Sequence, residues 1–251
     1  MIELKGKSAL ITGGSKGLGA AVARQLAAEG VNLVINYNSS VGPAQKLAEE
    51  LKEEFKIETH VIQANVFDGK EVAASLVKSA YEKLGGLDIV ISNAGWTKIV
   101  PYDDLEALDD ELWDGCFGAN IKSHFYLYKA AKKFFDANEE GGAFIVSASI
   151  AGRMVYGSSI PYAVSKAGLI HLVKMLSQSQ GPKVRIHAVC PGLLLTEWGN
   201  RFPQEKVQQT VEASPIKKLA DIDETAAQFI LLCKLATSTG TIVGIDGGIY
   251  V

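Results

Sequence analysis

The chain has 251 residues, of which 47% are hydrophobic and 21% are charged, which is the composition of a globular protein with a sizeable core. Its 25 basic and 28 acidic residues leave a net charge of −3, and this disfavours a nucleic-acid partner. No apolar run resembles a signal peptide or reaches the ~20 residues of a membrane span. The three cysteines, Cys116, Cys190 and Cys233, are too widely spaced for a disulfide framework. We therefore expect a cytoplasmic protein without a membrane partner.

Predicted strands and helices alternate through the first half of the chain. They are, in order, Ser8–Thr12, Leu18–Glu29, Val31–Asn36, Pro43–Phe55, Ile57–Ala64, Asp68–Lys83 and Leu87–Ser92, beginning with a strand. Gly30 stands where a helix C-terminal cap is expected, and Asp68 is a candidate N-terminal cap.

The second half continues the alternation. A long helix, broken near Gly115 or Gly118, is followed by alternating strands and helices, with a loop at about 191–215 that contains a short helix. The regular segments are Asp109–Asn138, Ala143–Ser149, Tyr162–Gln178, Arg185–Val189, Asp223–Leu235 and Thr241–Ile245. Repeated strand–helix units with apolar strands predict an α/β fold, a doubly wound parallel sheet of about seven strands with helices on both faces (Rossmann fold). No linker interrupts the pattern, so we expect residues 1–251 to form a single domain.

A glycine-rich turn, Thr12–Gly19 (TGGSKGLG), joins the first strand to the first helix. A doubly wound sheet binds a dinucleotide at this point, because glycines let the backbone approach the pyrophosphate and the helix N-terminus attracts negative charge. The glycine spacing departs from both the G-x-G-x-x-G fingerprint and the phosphate loop of P-loop NTPases. A flexible turn without a ligand remains the alternative.

Tyr162 and Lys166 lie four residues apart in a predicted helix and so share one face of it. The reference pKa of a phenol, ~10, is too high for ready proton exchange at neutral pH, and a nearby ammonium lowers it. The pair is therefore a candidate general acid and base. Taken alone, it could equally be a half-exposed tyrosine beside a solvated lysine.

With these motifs the chain resembles the short-chain dehydrogenase/reductase family over nearly its whole length. The shared motifs, in the family's order, are Thr12–Gly19, Ser92–Gly95 (SNAG), Asn120, Ser149, Tyr162 with Lys166, Pro191–Gly192 and Asp246–Gly248 (DGG). The resemblance implies an oxidoreductase that moves a hydride between a nicotinamide cofactor and a carbonyl/alcohol pair on a small molecule.

The resemblance also implies a catalytic tetrad of Asn120, Ser149, Tyr162 and Lys166. Tyr162 would protonate the substrate oxygen during reduction, and Ser149 would donate a hydrogen bond to that oxygen. Lys166 would lower the pKa of the tyrosine and hold the nicotinamide ribose, while Asn120 would anchor a water that leads protons to Lys166. Ser149 could instead be a capping serine, and Asn120 a polar residue that bends a helix.

The resemblance favours NADP(H) as the cofactor. The second strand ends in Asn36–Ser40, which contains no carboxylate to repel a 2′-phosphate, and Tyr37 stands where NAD-preferring relatives have Asp. Lys16 resembles the basic residue that binds the 2′-phosphate, although it could be a solvated surface lysine. The expected cofactor contacts are Gly13, Ser15, Lys16, Gly17, Leu18, Gly19, Tyr37, Asn38, Ser39, Asn65, Val66, Asn93, Ala94, Gly95, Tyr162, Lys166, Pro191, Gly192, Leu194 and Thr196.

Two positions depart from the family pattern. Asn65 replaces the Asp that contacts the adenine amino group in many relatives, and its carbonyl can accept the same hydrogen bond. Ser92 replaces the first Asn of the family's N-N-A-G, which we do not expect to matter.

The loop at about 191–215 and segments beside the tetrad are expected to form the substrate pocket. Its candidates are Trp96, Met154, Tyr156, Leu193, Trp198 and Phe202. Four of these are aromatic, which favours an apolar or cyclic carbonyl or alcohol substrate, although aromatic residues are also ordinary core material. The resemblance further implies a homo-oligomer, a tetramer or dimer, formed through helices at about 118–135 and 162–178, whose apolar faces could equally be buried within one subunit.

Other reaction classes have less support. The four histidines are isolated from one another and from the cysteines, so no catalytic metal is expected. Outside the glycine turn the sequence has no G-x-S-x-G motif, and a Ser149–Lys166 dyad would leave that turn unexplained. A non-catalytic dinucleotide-binding sensor or structural subunit remains possible, since a fold does not fix a function. The sequence also leaves the physiological direction of the reaction open.

Overall fold

The computed structural model describes residues 1–250. Its strands are β1 (Ser8–Ile11), β2 (Asn32–Tyr37), β3 (Thr59–Gln63), β4 (Ile89–Ser92), β5 (Gly142–Ser147), β6 (Val184–Pro191) and β7 (Ile242–Ile245). They form one sheet in the order β3-β2-β1-β4-β5-β6-β7, and every neighbouring pair is parallel. The predicted doubly wound parallel sheet is confirmed.

Helices cover both faces of the sheet. They are α1 (Gly17–Ala28), α2 (Val41–Phe55), α3 (Lys70–Leu84), α4 (Asp110–Phe117), α5 (Ser123–Ala137), α6 (Ile160–Ser179), α7 (Gln204–Ala213) and α8 (Ile222–Lys234). The helix predicted inside the 191–215 loop is α7.

The core has two layers, because successive strand residues point to opposite faces of the sheet. In β1, Ile11 belongs to a buried cluster with residues of α1, α2 and α8. Its neighbour Leu10 belongs to a second buried cluster with residues of α3, α5 and α6. Burial on both faces explains why the central strands are continuous apolar runs rather than alternating ones.

The chain reverses its direction of travel across the sheet between β1 and β4. The first three strands proceed outward from β1 to β3, and the chain then returns to place β4 on the other side of β1. At such a switch point the connections leaving two adjacent strands diverge, which opens a crevice at their carboxyl ends. The glycine turn after β1 and the segment after β4 border this crevice.

The predicted break in the long helix lies at Gly118–Lys122, which forms one π-helical turn between α4 and α5. Such turns insert one extra residue into a helix and are frequent at functional sites. Asn120 lies within this turn and is fully buried.

Two helix starts differ from the sequence prediction. Asp68 does not cap α3, because Gly69 is the capping residue and Asp68 instead accepts a hydrogen bond from Asn65 Nδ2 at 2.6 Å. The helix α2 begins at Val41, two residues before Pro43, which therefore lies in the first turn, where proline is tolerated. Helix ends depend on local hydrogen bonds that residue type alone does not decide.

Gly152 brings the segment after β5 close to α6. It ends a short 3-10 turn, Ile150–Gly152, and a Cβ added there would lie 2.5 Å from the carbonyl carbon of Lys166. The contact is with helix backbone, which cannot move aside as a flexible side chain would. The absence of a side chain at Gly152 therefore allows the segment after β5 to lie this close to α6.

Gly152→Ala should lower the free energy of unfolding by about 1–3 kcal/mol, because the added methyl overpacks a rigid contact. Urea unfolding followed by circular dichroism measures this. Gly42→Ala is the matched control: Gly42 lies in the first turn of α2 with no atom within 4 Å of an added Cβ. We expect that control to be neutral or to stabilise by up to about 1 kcal/mol. Equal effects at the two positions would contradict the packing argument.

Candidate active site

A cleft of about 550 Å³ opens at the carboxyl ends of the strands, beside the switch point. Most of the residues predicted to bind cofactor or substrate surround it. Those that line it are Lys16, Gly17, Leu18, Gly19, Ser39, Asn93, Gly95, Trp96, Ser149, Tyr156, Tyr162, Lys166, Pro191, Gly192, Leu193, Leu194, Thr196, Trp198 and Phe202.

The glycine turn is held tightly against the end of β4. The hydroxyl of Thr12 accepts hydrogen bonds from the backbone N–H groups of Asn93 at 2.9 Å and Ala94 at 3.1 Å. A Cβ on Gly19 would lie only 2.3 Å from the carbonyl oxygen of Gly13, so this turn has no room for a side chain there.

The start of α1 fits a phosphate group. The residue before the helix, Lys16, makes no side-chain capping hydrogen bond to it. The first N–H groups of a helix have no intrahelical partner and carry partial positive charge, which suits a phosphate. Leu18 and Gly19 of this first turn line the cleft. The geometry therefore fits the pyrophosphate of a dinucleotide.

Tyr162 and Ser149 meet in the cleft. Ser159 caps the N-terminus of α6 by accepting a hydrogen bond from the Tyr162 N–H. This contact fixes the tyrosine in the first turn of the helix. Ser149 follows β5 and accepts a hydrogen bond from the Ala151 N–H at 3.1 Å, so it does cap the short turn after the strand. Both side chains still line the cleft.

Burial raises the pKa of Tyr162 to about 12, and a hydrogen bond with the Ser149 side chain acts in the opposite direction. This differs from the expectation that Lys166 lowers the tyrosine pKa. The ammonium Nζ lies 5.8 Å from the centre of the Tyr162 ring, and it donates a 2.7 Å hydrogen bond to the carbonyl oxygen of Ser147. Desolvation disfavours the charged phenolate and dominates here.

Burial also acts on Lys166, whose pKa falls to about 8 from its ordinary value of 10.5. Its side chain is only 4% exposed. The two groups thus respond in opposite directions to the same cause, since removal from water disfavours both a phenolate and an ammonium. At neutral pH Tyr162 therefore keeps its proton.

Asn120 adjoins Lys166 from the π-helical turn. Its Nδ2 donates to the Trp96 carbonyl at 2.9 Å and to Ser165 Oγ at 3.0 Å, and its Oδ1 accepts from the Trp96 N–H at 3.0 Å. A Cβ on Gly95 would lie 3.1 Å from Asn120 Oδ1 and 3.6 Å from Lys166 Nζ. The four residues of the predicted tetrad are therefore gathered in one place, with Asn120 behind the cleft wall.

Lys16 extends across the mouth of the cleft. Its Nζ lies 2.8 Å from Glu197 Oε2, which belongs to the loop after β6. Sequence reasoning missed Glu197, because nothing in the sequence links two residues 181 positions apart. Both side chains are largely exposed, and such a pair is easily replaced by other partners.

Several predicted residues lie outside the lining of the cleft. They are Gly13, Ser15, Tyr37, Asn38, Asn65, Val66, Ala94, Asn120 and Met154. Tyr37 and Val66 belong to the buried core, and Asn65 Oδ1 accepts a hydrogen bond from the Phe67 N–H at 3.3 Å. Met154 packs against the cluster under α5 and α6.

The end of the cleft formed by Tyr156 and the 191–215 loop is aromatic. Tyr156 is held by a 3.0 Å hydrogen bond to Thr210 Oγ1, and the rings of Trp198 and Phe202 meet edge to face at 5.2 Å. Arg201 and Lys206 also line the cleft, although no motif in the sequence predicts this. Their position inside the predicted 191–215 loop was the available signal.

Ser92 makes a contact that the family pattern does not predict. Its hydroxyl lies 2.7 Å from His124 Nδ1, and both side chains are buried. Burial holds the pKa of His124 well below its ordinary value, so the ring is neutral. The substitution of Ser for Asn at this position is thus accompanied by a polar partner on α5.

Among residues 1–250, no group of three or more His, Cys, Asp and Glu side chains lies close enough to hold a metal ion. None of the helices in that range combines the length and apolarity needed to cross a membrane.

Comparisons with known proteins agree with this geometry. A family model described as enoyl-(acyl carrier protein) reductase matches residues 13–250. The 3-oxoacyl-[acyl-carrier-protein] reductase FabG of Staphylococcus epidermidis is 33% identical over 249 residues, covering 97% of this chain and 99% of that protein.

Two solved structures have the same fold. A short-chain dehydrogenase from Burkholderia cenocepacia J2315 in complex with NADP superposes with a TM-score of 0.90 at 29% identity, covering 99% of both chains. A 7α-hydroxysteroid dehydrogenase complexed with NADH and 7-oxo glycochenodeoxycholic acid has a TM-score of 0.89 at 26% identity, covering 98% of this chain and 95% of that one. The chain therefore belongs to the short-chain dehydrogenase/reductase family, whose members are oxidoreductases that bind a nicotinamide dinucleotide.

Proposed function

We propose that the chain is an NADP(H)-dependent oxidoreductase that interconverts a ketone or aldehyde and an alcohol on a small, apolar or cyclic substrate. The observation that supports this most is the convergence of Tyr162, Ser149 and Lys166 on one cleft beside the uncapped start of α1. A sensor or structural subunit would need the phosphate-binding end of this cleft but not the half-buried tyrosine that lines it.

In the proposed mechanism Tyr162 acts as the general acid during reduction. A nicotinamide, when bound, supplies the hydride, and the protein supplies position and protons. The pKa of about 12 keeps Tyr162 protonated at neutral pH, so its proton is available to a substrate oxygen that becomes negative. Ser149 donates a second hydrogen bond to that oxygen, and two aimed donors stabilise the developing charge.

Lys166 and Asn120 support this acid in the proposal. A charged Lys166 stabilises the negative charge left on Tyr162 after proton transfer, and its ammonium supplies the proton that restores the phenol, with solvent replacing that proton. Asn120 orients the adjoining backbone of Trp96 and, through Ser165, the same helix that presents Tyr162 and Lys166. Alcohol oxidation uses the same groups in reverse.

The proposed preference for NADP(H) depends on Lys16. It borders the cleft next to the start of α1, and the Asn36–Ser40 segment contains no carboxylate. The related Burkholderia structure contains NADP, whereas the related hydroxysteroid dehydrogenase contains NADH. Lys16 forms an ion pair with Glu197, so a 2′-phosphate would have to replace that carboxylate as the partner of Lys16.

We also propose that the chain is one catalytic domain that assembles as a dimer or tetramer. Phe125 of α5 and Val164 and Met175 of α6 are exposed apolar side chains on the two helices expected at the interface. The three cysteines are free and buried, which fits the reducing cytoplasm.

Tyr162→Phe should lower kcat by about 10²–10⁴ while leaving NADPH binding nearly intact, because it removes only the acidic proton. The assay follows NADPH and NADH absorbance with a panel of ketones, aldehydes and quinones. Tyr81→Phe, on the exposed side of α3, is the control. Undiminished turnover by Tyr162→Phe would exclude this acid, and no turnover by the wild type with any carbonyl would favour a sensor.

Lys16→Ala should weaken NADPH binding by about tenfold and NADH binding far less, the loss expected for one charge-assisted contact. Fluorescence titration gives both dissociation constants. The single variant leaves the Glu197 carboxylate unpaired, and that carboxylate would repel the 2′-phosphate. The double variant Lys16→Ala/Glu197→Ala removes this repulsion and so measures the loss of attraction by Lys16 alone. Equal losses for NADPH and NADH in the double variant would remove the 2′-phosphate role.

Lys166→Met should raise the free energy of unfolding at pH 7 by about 1–2 kcal/mol, because it removes a buried ammonium at the cost of one hydrogen bond. In the folded wild type the pKa of Lys166 is about 8, against the ordinary value of 10.5 in the unfolded chain. The free-energy cost of burying the ammonium is therefore complete below pH 8 and fades towards pH 10.5. Urea unfolding at pH 7 and pH 10 should show the gain shrinking with pH. A pH-independent gain would contradict the buried charge.

A further inference from the structure

The cleft is strongly positive in a chain that is negative overall. Its charged lining residues are Lys16, Lys166, Arg201, Lys206 and Glu197, four cations against one carboxylate, whereas the whole chain has a net charge of −3. The carboxylate is engaged by Lys16. This imbalance indicates that the cleft binds more negative charge than the protein itself provides.

The proposed cofactor chemistry accounts for only two of these cations. Lys16 is assigned to a 2′-phosphate and Lys166 to the reacting centre. Arg201, which ends the 3-10 turn Gly199–Arg201, and Lys206, in the first turn of α7, have no such role. Within residues 1–250 neither side chain forms an ion pair with a carboxylate.

A contact with an aromatic ring places Lys206 near the tyrosine. Lys206 Nζ lies 5.3 Å from the centre of the Tyr156 ring. The next residue, Gly157, is close enough that an added Cβ would lie 3.2 Å from Tyr162 Cδ1. Arg201 immediately precedes Phe202, whose ring packs on Trp198. The hydrogen bond with Lys16 and also the charge of Arg201 lower the pKa of Glu197. Lys206 therefore stands beside an aromatic residue that would hold the body of a substrate, and Arg201 borders the same end of the cleft close to Glu197.

We propose that the substrate carries an anionic group, a carboxylate or a phosphate, at the end remote from its carbonyl, and that Arg201 and Lys206 bind it. The inference rests on the proposed carbonyl reduction and specifies the substrate class for the same site. The planar guanidinium of Arg201 can bind either anion with two parallel hydrogen bonds. The aromatic rings contact the apolar body between the two ends.

The test uses ketones that differ in charge. The probes are 4-acetylbenzoate for the carboxylate, 4-acetylphenyl phosphate for the phosphate, and methyl 4-acetylbenzoate as the neutral reference. We expect the wild type to prefer at least one anionic ketone in kcat/KM, and Arg201→Gln/Lys206→Gln to reduce that preference about tenfold, the loss expected for one charged contact. Lys218→Gln, an exposed cation outside the cleft, is the matched control.

Further outcomes separate this inference from the proposed function. Calorimetry of the same ketones with Tyr162→Phe and NADPH measures the preference without turnover. Preferential anion binding without turnover by the wild type would contradict the proposed reaction but not the anion site. Equal binding of all three ketones, or a preference unchanged by the double variant, would overturn the anion site. A double variant that loses NADPH affinity instead would assign these cations to the cofactor.

Discussion

A short series of buried and partly buried hydrogen bonds connects the glycine turn to Lys166. The Asn93 side chain donates to the carbonyls of Thr12 and Gly13, and its oxygen accepts from Ser147 Oγ at 2.8 Å. The Ser147 carbonyl in turn accepts from Lys166 Nζ at 2.7 Å. Three strand ends and α6 are thereby fixed relative to one another. Buried polar groups that all have partners make such an arrangement rigid.

Burial decides the protonation of the site more than the pairing of its residues does. The spacing of Tyr162 and Lys166 in the sequence correctly predicts that they share a helix face, but it contains no information about how much water reaches them. In the folded chain desolvation raises one pKa and lowers the other. The tyrosine consequently stays protonated at neutral pH.

The sequence was sufficient for the fold and for the central residues of the site, because apolar periodicity and motif order are local or nearly local signals. The alternating elements, the break near Gly118 and the helix within the 191–215 loop were all predictable in this way. The Lys16–Glu197 pair, the Asn93 connections and the Ser92–His124 contact were not. Each joins segments that only the tertiary fold brings together, and hydrogen-bond geometry rather than residue type selects the partners.

The π-helical turn at Gly118–Lys122 allows the two helices that it joins, α4 and α5, to pack on different neighbouring helices. An extra residue rotates everything after it by about 100° around the helix axis, since an α-helix has 3.6 residues per turn. The helix before the turn packs on α6, and the one after it packs on α3. Shortening this segment by one residue would swing Leu127, Ala131 and Phe135 out of the core. The number of residues here is therefore constrained even where their identities are not.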